Sequence, residues 1–407
     1  MVCLAEKVPS LLLGVRLFPY VYKSSELYST QGRVLKISIK AGIAYGKTGV
    51  LRDVHLGIDG SKLVAMTKEE PEDFEDAELV LGGRDRIVSP GLISTHTILS
   101  LYPFRYSIVS GKRNANEIVS SMTQSDAYHF AILGAYHLLR VGVTSAVTAD
   151  PYPESVARAM IKVGIRPIIA VNVGCSWGPS DWKREFKVLR EKWSGGETRV
   201  VLKVCSDDDL DEVIALSNEF KVPVLVDRSV SLSGNTPNKV IALGGGSRGD
   251  LSVIRQRGFG LSFLPSVEVC KFTLGSYSPS IALDLSLRYD PRAELGFAVS
   301  RLLLTPDEAF KSATLWGYNQ LLMNYPLEIG STSDLVIYQV NEPPFYPLDL
   351  TSPYETLLFS TGVPETVIVG GEPVLDGTVP LNVGSKDIEE VQEIINEFGE
   401  RSHLEKN

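Results

Sequence analysis

Five histidines (His55, His96, His129, His137, His403) and four cysteines (Cys3, Cys175, Cys205, Cys270) are the main metal-binding or proton-moving side chains in the 407-residue chain. His96 ends the stretch "VSPGLISTH", which reads as a buried strand that breaks and presents an imidazole. Such a group can hold a divalent metal whose bound water ionises near neutral pH, or act itself as a general base. Two residues further on stands Ile98, which has no lone pair to offer. A hydrolytic metal site consumes three or four donors, so five scattered histidines leave little to build with. No two cysteines form a CxxC pair, so neither a disulfide framework nor a zinc ribbon is expected. His55 reads as a strand residue. His129 and His137, eight apart on one helix, read as packing or surface residues. The run "ALGGGSRGD", residues 242–250, lies between a strand and a helix. Helix N-terminal amides there can hold an anion with Arg248 assisting. The P-loop spacing fails, and loop punctuation is the alternative reading.

The elements that must position these groups fall into three blocks. Residues 34–88 are β-rich and separated by turn residues. From residue 87, apolar strand runs alternate with helices of 3.6-residue period. Eight candidate strands fit between residues 87 and 277, which predicts a (β/α)₈ barrel with its chemistry at the C-terminal strand ends. Strands return after "LTPDEAFKSATLWGYN", a helix with Thr305 as N-cap and Glu308 at the capping-box distance. The expected organisation is an arm over 1–33, a β-sandwich from 34–88 plus 328–385, a barrel over 89–327, and a tail over 386–407. Ile388, Val391, Ile395 and Phe398 make that tail an amphipathic helix docked on the body. Residues 227–239 are short for a barrel helix, so that βα unit reads as truncated.

Net charge is −9 and the pI is near 5.3. Nucleic acid is therefore not an expected partner, because phosphate binding needs a basic surface. No segment approaches the ~18 apolar residues of a membrane span, and no secretory signal is read at the start. The expected setting is cytoplasmic.

Several segments resemble the amidohydrolase superfamily. "VSPGLISTHTILSLYPFR" is similar to its metal-binding segment, PG-[LF]-[IV]-[ND]-x-H-x-H. "AILGAYHLLRVGVTSAV", "LTPDEAFKSATLWGYN", "LEIGSTSDLVIYQVNEPPFYPL" and "VIVGGEPVLDG" resemble, in order, later segments of its aminohydrolase and chlorohydrolase branch, which contains cytosine, guanine and adenosine-type deaminases. The resemblance covers about residues 34 to 380. It implies a barrel plus a β-sandwich, and hydrolysis of C–N or C–Cl bonds by a metal-bound hydroxide.

The same resemblance implies where ligands belong. The His-x-His pair falls on His96 and Ile98. The strand-five histidine falls on Asp227, and the catalytic glutamate three residues later on Val230. The strand-six end, "VIALGGGSRG", holds no histidine. The strand-eight aspartate falls on Tyr277. Lys203 lies on the strand that carries a carboxylated lysine in other branches, and Cys175, Cys205 and Asp150 are further mouth candidates. His96 and Asp227 are thus the expected catalytic remnant, with Lys203, Cys175, Tyr277 and Arg248 as ligand-binding candidates and no metal ligand set. The expectation is a non-catalytic homologue without cofactor that binds a small molecule at the barrel mouth, or serves as a structural or regulatory subunit. A homo-oligomer, or assembly with an active paralogue, goes with that reading. The alternative is an active C–N hydrolase of deaminase or amidase type with a reduced or rebuilt site, holding zinc or iron.

Overall fold

Alternation and continuous apolar runs separate two kinds of strand in this chain, and a computed structural model sorts them into two sheets. It describes residues 35–193, 199–232, 240–244, 248–267, 275–284, 286–346, 349 and 351–404. The amphipathic strands come first: β1 (Lys36–Gly46), β2 (Gly49–Asp59), β3 (Lys62–Thr67) and β4 (Leu79–Pro90).

The barrel strands are β5 (Leu92–Thr97), β6 (Val143–Thr148), β7 (Arg166–Val173), β8 (Arg199–Val204), β9 (Val224–Val226), β10 (Val240–Leu243), β11 (Gly260–Phe263) and β12 (Ser280–Ile281). They pair in parallel in chain order. β5 and β6 are buried along their whole length, as strands with both faces covered must be. Ile93, Val147, Ala170, Val201, Leu225 and Ile241 fill the interior. The ring closes where Leu283 N–H donates to the His96 carbonyl at 2.9 Å and Thr97 bridges Asp284.

The chain then returns through β13 (Leu335–Gln339), β14 (Thr366–Val369), β15 (Glu372–Asp376) and β16 (Val379–Pro380). These complete one eight-stranded sheet with the first four, in the order β16-β15-β14-β13-β4-β1-β2-β3. β4 passes straight into β5 through Gly91. A Cβ there would stand 1.9 Å from the Thr144 hydroxyl, so no larger residue can make this crossing.

The Thr305–Glu308 capping box forms in both directions at the helix Pro306–Ser312. The C-terminal helix Ser385–Leu404 buries Val391 and Phe398, and Phe398 packs on Phe104 and Phe130. No helix among the described residues is long and apolar enough to cross a membrane. No helix is described between β9 and β10, where residues 233–239 lie outside the described residues.

Candidate functional site at the barrel mouth

β5 delivers His96 because its inward positions alternate. Ile93 faces the barrel interior and Thr95 hydrogen-bonds the hydroxyls of Ser262 (2.7 Å) and Ser280 (2.9 Å). A register shift between Ser94 and Thr97 then brings out His96. Its imidazole is only 3% exposed. Nδ1 pairs with the Asp284 carboxylate, while Nε2 is buried with no hydrogen-bond partner among the described residues. A His held at one nitrogen keeps its tautomer fixed at the other. Burial opposes ionisation of Asp284, but the charge and hydrogen bond of His96, with Lys203 and Arg228 nearby, outweigh it and hold the carboxyl below its ordinary range.

Asp284 was not among the sequence candidates. The strand-eight position carried over to Tyr277 belongs instead to Asp284. Tyr277 ends the short turn Gly275–Tyr277 ahead of β12 and is half-buried. The reason is physical. β12 is two residues long and is preceded by Pro279 and by Ser278 at φ 45°, so only a very short apolar run marks where strand eight ends. The run "IAL" just before Asp284 was the available signal.

Asp227 stands at the end of β9, where the Ser229 amide (3.2 Å) and hydroxyl (3.1 Å) bond its Oδ1. The carboxylate on His96 is thus Asp284 and not Asp227. Lys203 projects from β8 at 5% exposure. Burial pushes its ammonium down from the ordinary lysine value, and the charges of Asp284, Asp227 and Asp150 recover only part of that shift. Asp150 is buried. Its carboxylate accepts from the amides of Leu99 (3.1 Å) and Ser100 (2.8 Å) and from the hydroxyls of Ser100 and Thr148. It caps the turn after His96 and has little capacity left for a ligand.

The remaining candidates disperse. Cys175 and Cys205 form a disulfide, where no disulfide framework was expected and Cys175 was a ligand-binding candidate, and neither sulfur then offers a thiolate. Sequence gave no sign of this pairing, since it joins the loops after β7 and β8. The Arg248 side chain lies outside the described residues, although the helix Arg248–Arg257 does follow the glycine run. Ile98 and Val230 are buried in the core around the barrel. His129 and His137 bond the Ser125 and Arg288 carbonyls from a helix, and His55 lies in β2.

These donors do not fit a catalytic zinc. Such a site takes three protein ligands and keeps one position open. Here Asp284 is paired with His96 at Nδ1, one imidazole nitrogen is left over, and a lysine ammonium adds positive charge beside them. No group of three or more His, Cys, Asp or Glu side chains able to hold a metal exists among the described residues.

A buried ammonium costs stability where charge is most disfavoured. Because the folded pKa of Lys203 is lowered, that cost is present at neutral pH and fades as pH climbs from the folded value to the ordinary lysine value. Lys203→Met is therefore expected to melt roughly 2–4 °C higher than wild type at pH 7, with the gap closing in alkaline buffer. A lower melting point at pH 7 would show that the ammonium is favourably paired.

No protein-family model matches the chain. It is 21% identical over 404 residues to the 5'-deoxyadenosine deaminase of Methanocaldococcus jannaschii, covering 83% of this chain and 96% of that protein. Identity to the enzyme of that name from Methanopyrus kandleri is 28% over 213 residues, which is 47% of this chain and 49% of the relative, so the match spans about half of each. Among solved structures, an adenosine deaminase from Xanthomonas campestris with bound zinc superposes at a TM-score of 0.76 with 15% identity, covering 89% of this chain and 98% of that one. The parallel barrel closed by β12 and the sheet shared by both ends of the chain are the fold of these proteins, and the chain is similar to the 5'-deoxyadenosine deaminases along most of its length.

Proposed function

We propose that the protein hydrolyses C–N bonds, of the deaminase or amidase type, from a reduced site in which His96 is the base. The observation that carries this reading is the His96 imidazole, anchored at Nδ1 by Asp284 and buried without a partner at Nε2. Nε2 takes a proton from a water as the water oxygen bonds to the carbon bearing nitrogen. Returning that proton to the nitrogen lets the C–N bond break, so one water is consumed and one amine or ammonia released. Asp284 stabilises the imidazolium that forms in between. Lys203 supplies positive charge near the mouth, where negative charge develops on the substrate. The names of the relatives, all deaminases of 5'-deoxyadenosine or related nucleosides, support the reaction class. The zinc of the structural neighbour is not carried over, because the donor set here does not suit that ion.

The test is ammonia release from 5'-deoxyadenosine, 5-methylthioadenosine and adenosine, with metal content measured by elemental mass spectrometry on the same samples. Turnover that falls about 10²–10⁴-fold in His96→Ala, at far less than one metal per chain, is the expected result. Stoichiometric metal lost in His96→Ala would replace the general base with a metal site. Ile98 and Val230, buried where the resemblance places a histidine and a glutamate, favour a second reading, a non-catalytic binder of the same ligands. Saturable binding with no ammonia release from wild type would select it.

A further inference from the structure

A second recess, of about 460 Å³, lies at the opposite end of the barrel from His96. The N-terminal ends of β8 and β9 form one side of it. Lys62 at the start of β3, with Thr332 and Asp334 just before β13, forms the other. That size suits a small organic ligand. Lys62, Arg190, Arg199 and Lys221 all line it. Arg190 is half-buried and the other three are exposed, so these cations stand within reach of solvent. The one acidic lining side chain among the described residues is Asp334, which Arg166 and the Gly370 amide already hold. A chain of net charge −9 thus gathers four cations around one recess.

Positive charge at this end of a barrel has an ordinary use, which accounts for part of the set. Arg190 is in the last turn of the helix Trp182–Lys192, and Lys221 follows the helix Leu210–Phe220, where cations complement the macrodipole. Lys62 and Arg199 begin strands and belong to no helix. Neither the Arg190 nor the Lys221 side chain makes a hydrogen bond or ion pair among the described residues. The Arg190 guanidinium instead rests on the Phe220 ring, 4.5 Å from its centroid. That contact pre-positions a planar fork whose N–H donors are unspent, and such a fork suits two parallel bonds to an oxyanion. Four positive charges favour a dianion over a monoanion. Trp193, Met323 and Pro223 add apolar wall, so the recess has room for more than an inorganic ion.

We infer that this recess is an anion site, separate from the barrel mouth, for a phosphate monoester carried on a flat apolar body, with Arg190 and Lys221 on the phosphate and Trp193 and Met323 against the body. The inference does not rest on the proposed reaction. The probe is phenyl phosphate, with inorganic phosphate and phenol as its two halves, each titrated by calorimetry into the full chain at low ionic strength. Phenyl phosphate is expected to bind once per chain, about tenfold tighter than either half, and to weaken in high salt. Arg190→Gln is expected to weaken it about tenfold. Lys221→Gln, at an exposed side chain and so usable if Arg190→Gln does not fold, is expected to weaken it about threefold. His96→Ala, at the far end of the barrel, is expected to leave the affinity unchanged. No saturable binding would overturn the inference and leave these charges serving the helix ends. Inorganic phosphate or phenol binding as tightly as phenyl phosphate would overturn the ligand class. Affinity indifferent to both charge variants, or lost in His96→Ala, would place the anion elsewhere and overturn the site.

Discussion

Asparagine in place of Asp284 is expected to lower turnover about 10²–10⁴-fold. The carboxylate accepts from Nδ1–H of His96, which leaves the Nε2 lone pair free to take a proton. An asparagine amide can turn its NH₂ to Nδ1 instead, and the ring then carries its proton on Nε2, where the base is needed. The loss should fall on kcat, with adenosine affinity changed only a few-fold. An unchanged kcat would remove His96 from the reaction as a base. A pH signature accompanies the kinetic one. The folded pKa of Asp284 is depressed, so its ionisation stabilises the fold above the ordinary carboxylate range, and that stability is lost as pH falls through the folded value. Any melting-point advantage of wild type over Asp284→Asn is therefore largest near neutrality and shrinks in acid.

Asp334→Ala is expected to cost about 3–5 kcal/mol of stability, read as the shift of the denaturant midpoint. Asp334, which directly precedes β13, is buried. Its carboxylate is held by Arg166 at 2.8 and 3.1 Å and by the Gly370 amide at 2.7 Å, while its backbone carbonyl accepts from Gly91 at 2.7 Å. One side chain thus ties the first residue of β7 to the turn after β14, beside the crossing from sheet to barrel. Truncation leaves a guanidinium largely out of water without its counter-charge, and that is where most of the cost lies. Asp334→Asn, which can still accept from Gly370, is expected to lose less. A shift under about 1 kcal/mol for the alanine variant would show that water replaces the carboxylate at this junction.

The barrel was legible because long apolar strand runs and amphipathic helices carry strong periods. The cap at Thr305 was legible because its partner Glu308 lies three residues away, within the same local motif. His96 was legible for a similar reason, at the end of an apolar run. The rest of the site was not. Asp284 follows a two-residue strand that leaves almost no periodic trace, which is why register carried the expected aspartate to Tyr277. Cys175 and Cys205 are 30 residues apart, and only the adjacency of β7 and β8 brings their loops together. Lys203 could be placed at a strand end, yet its company of three carboxylates depends on β9 and on the closure at Asp284. In each case the unread part is a contact between strand ends distant in sequence, set by barrel closure.

The shared sheet also sets a clock. β4 pairs with β1 on one edge and with β13 on the other, through Leu335 opposite Pro90. Leu335 leaves the ribosome about 245 residues after Pro90. At a synthesis rate of about 5–20 residues per second, one edge of β4 stays open for on the order of 10–50 s. Throughout that interval the nascent chain displays an unpaired strand edge, the surface through which chains most readily pair with one another. The barrel therefore has to be synthesised before its neighbouring sheet can be sealed, and crowding on a polysome acts on that open edge before any ligand meets His96.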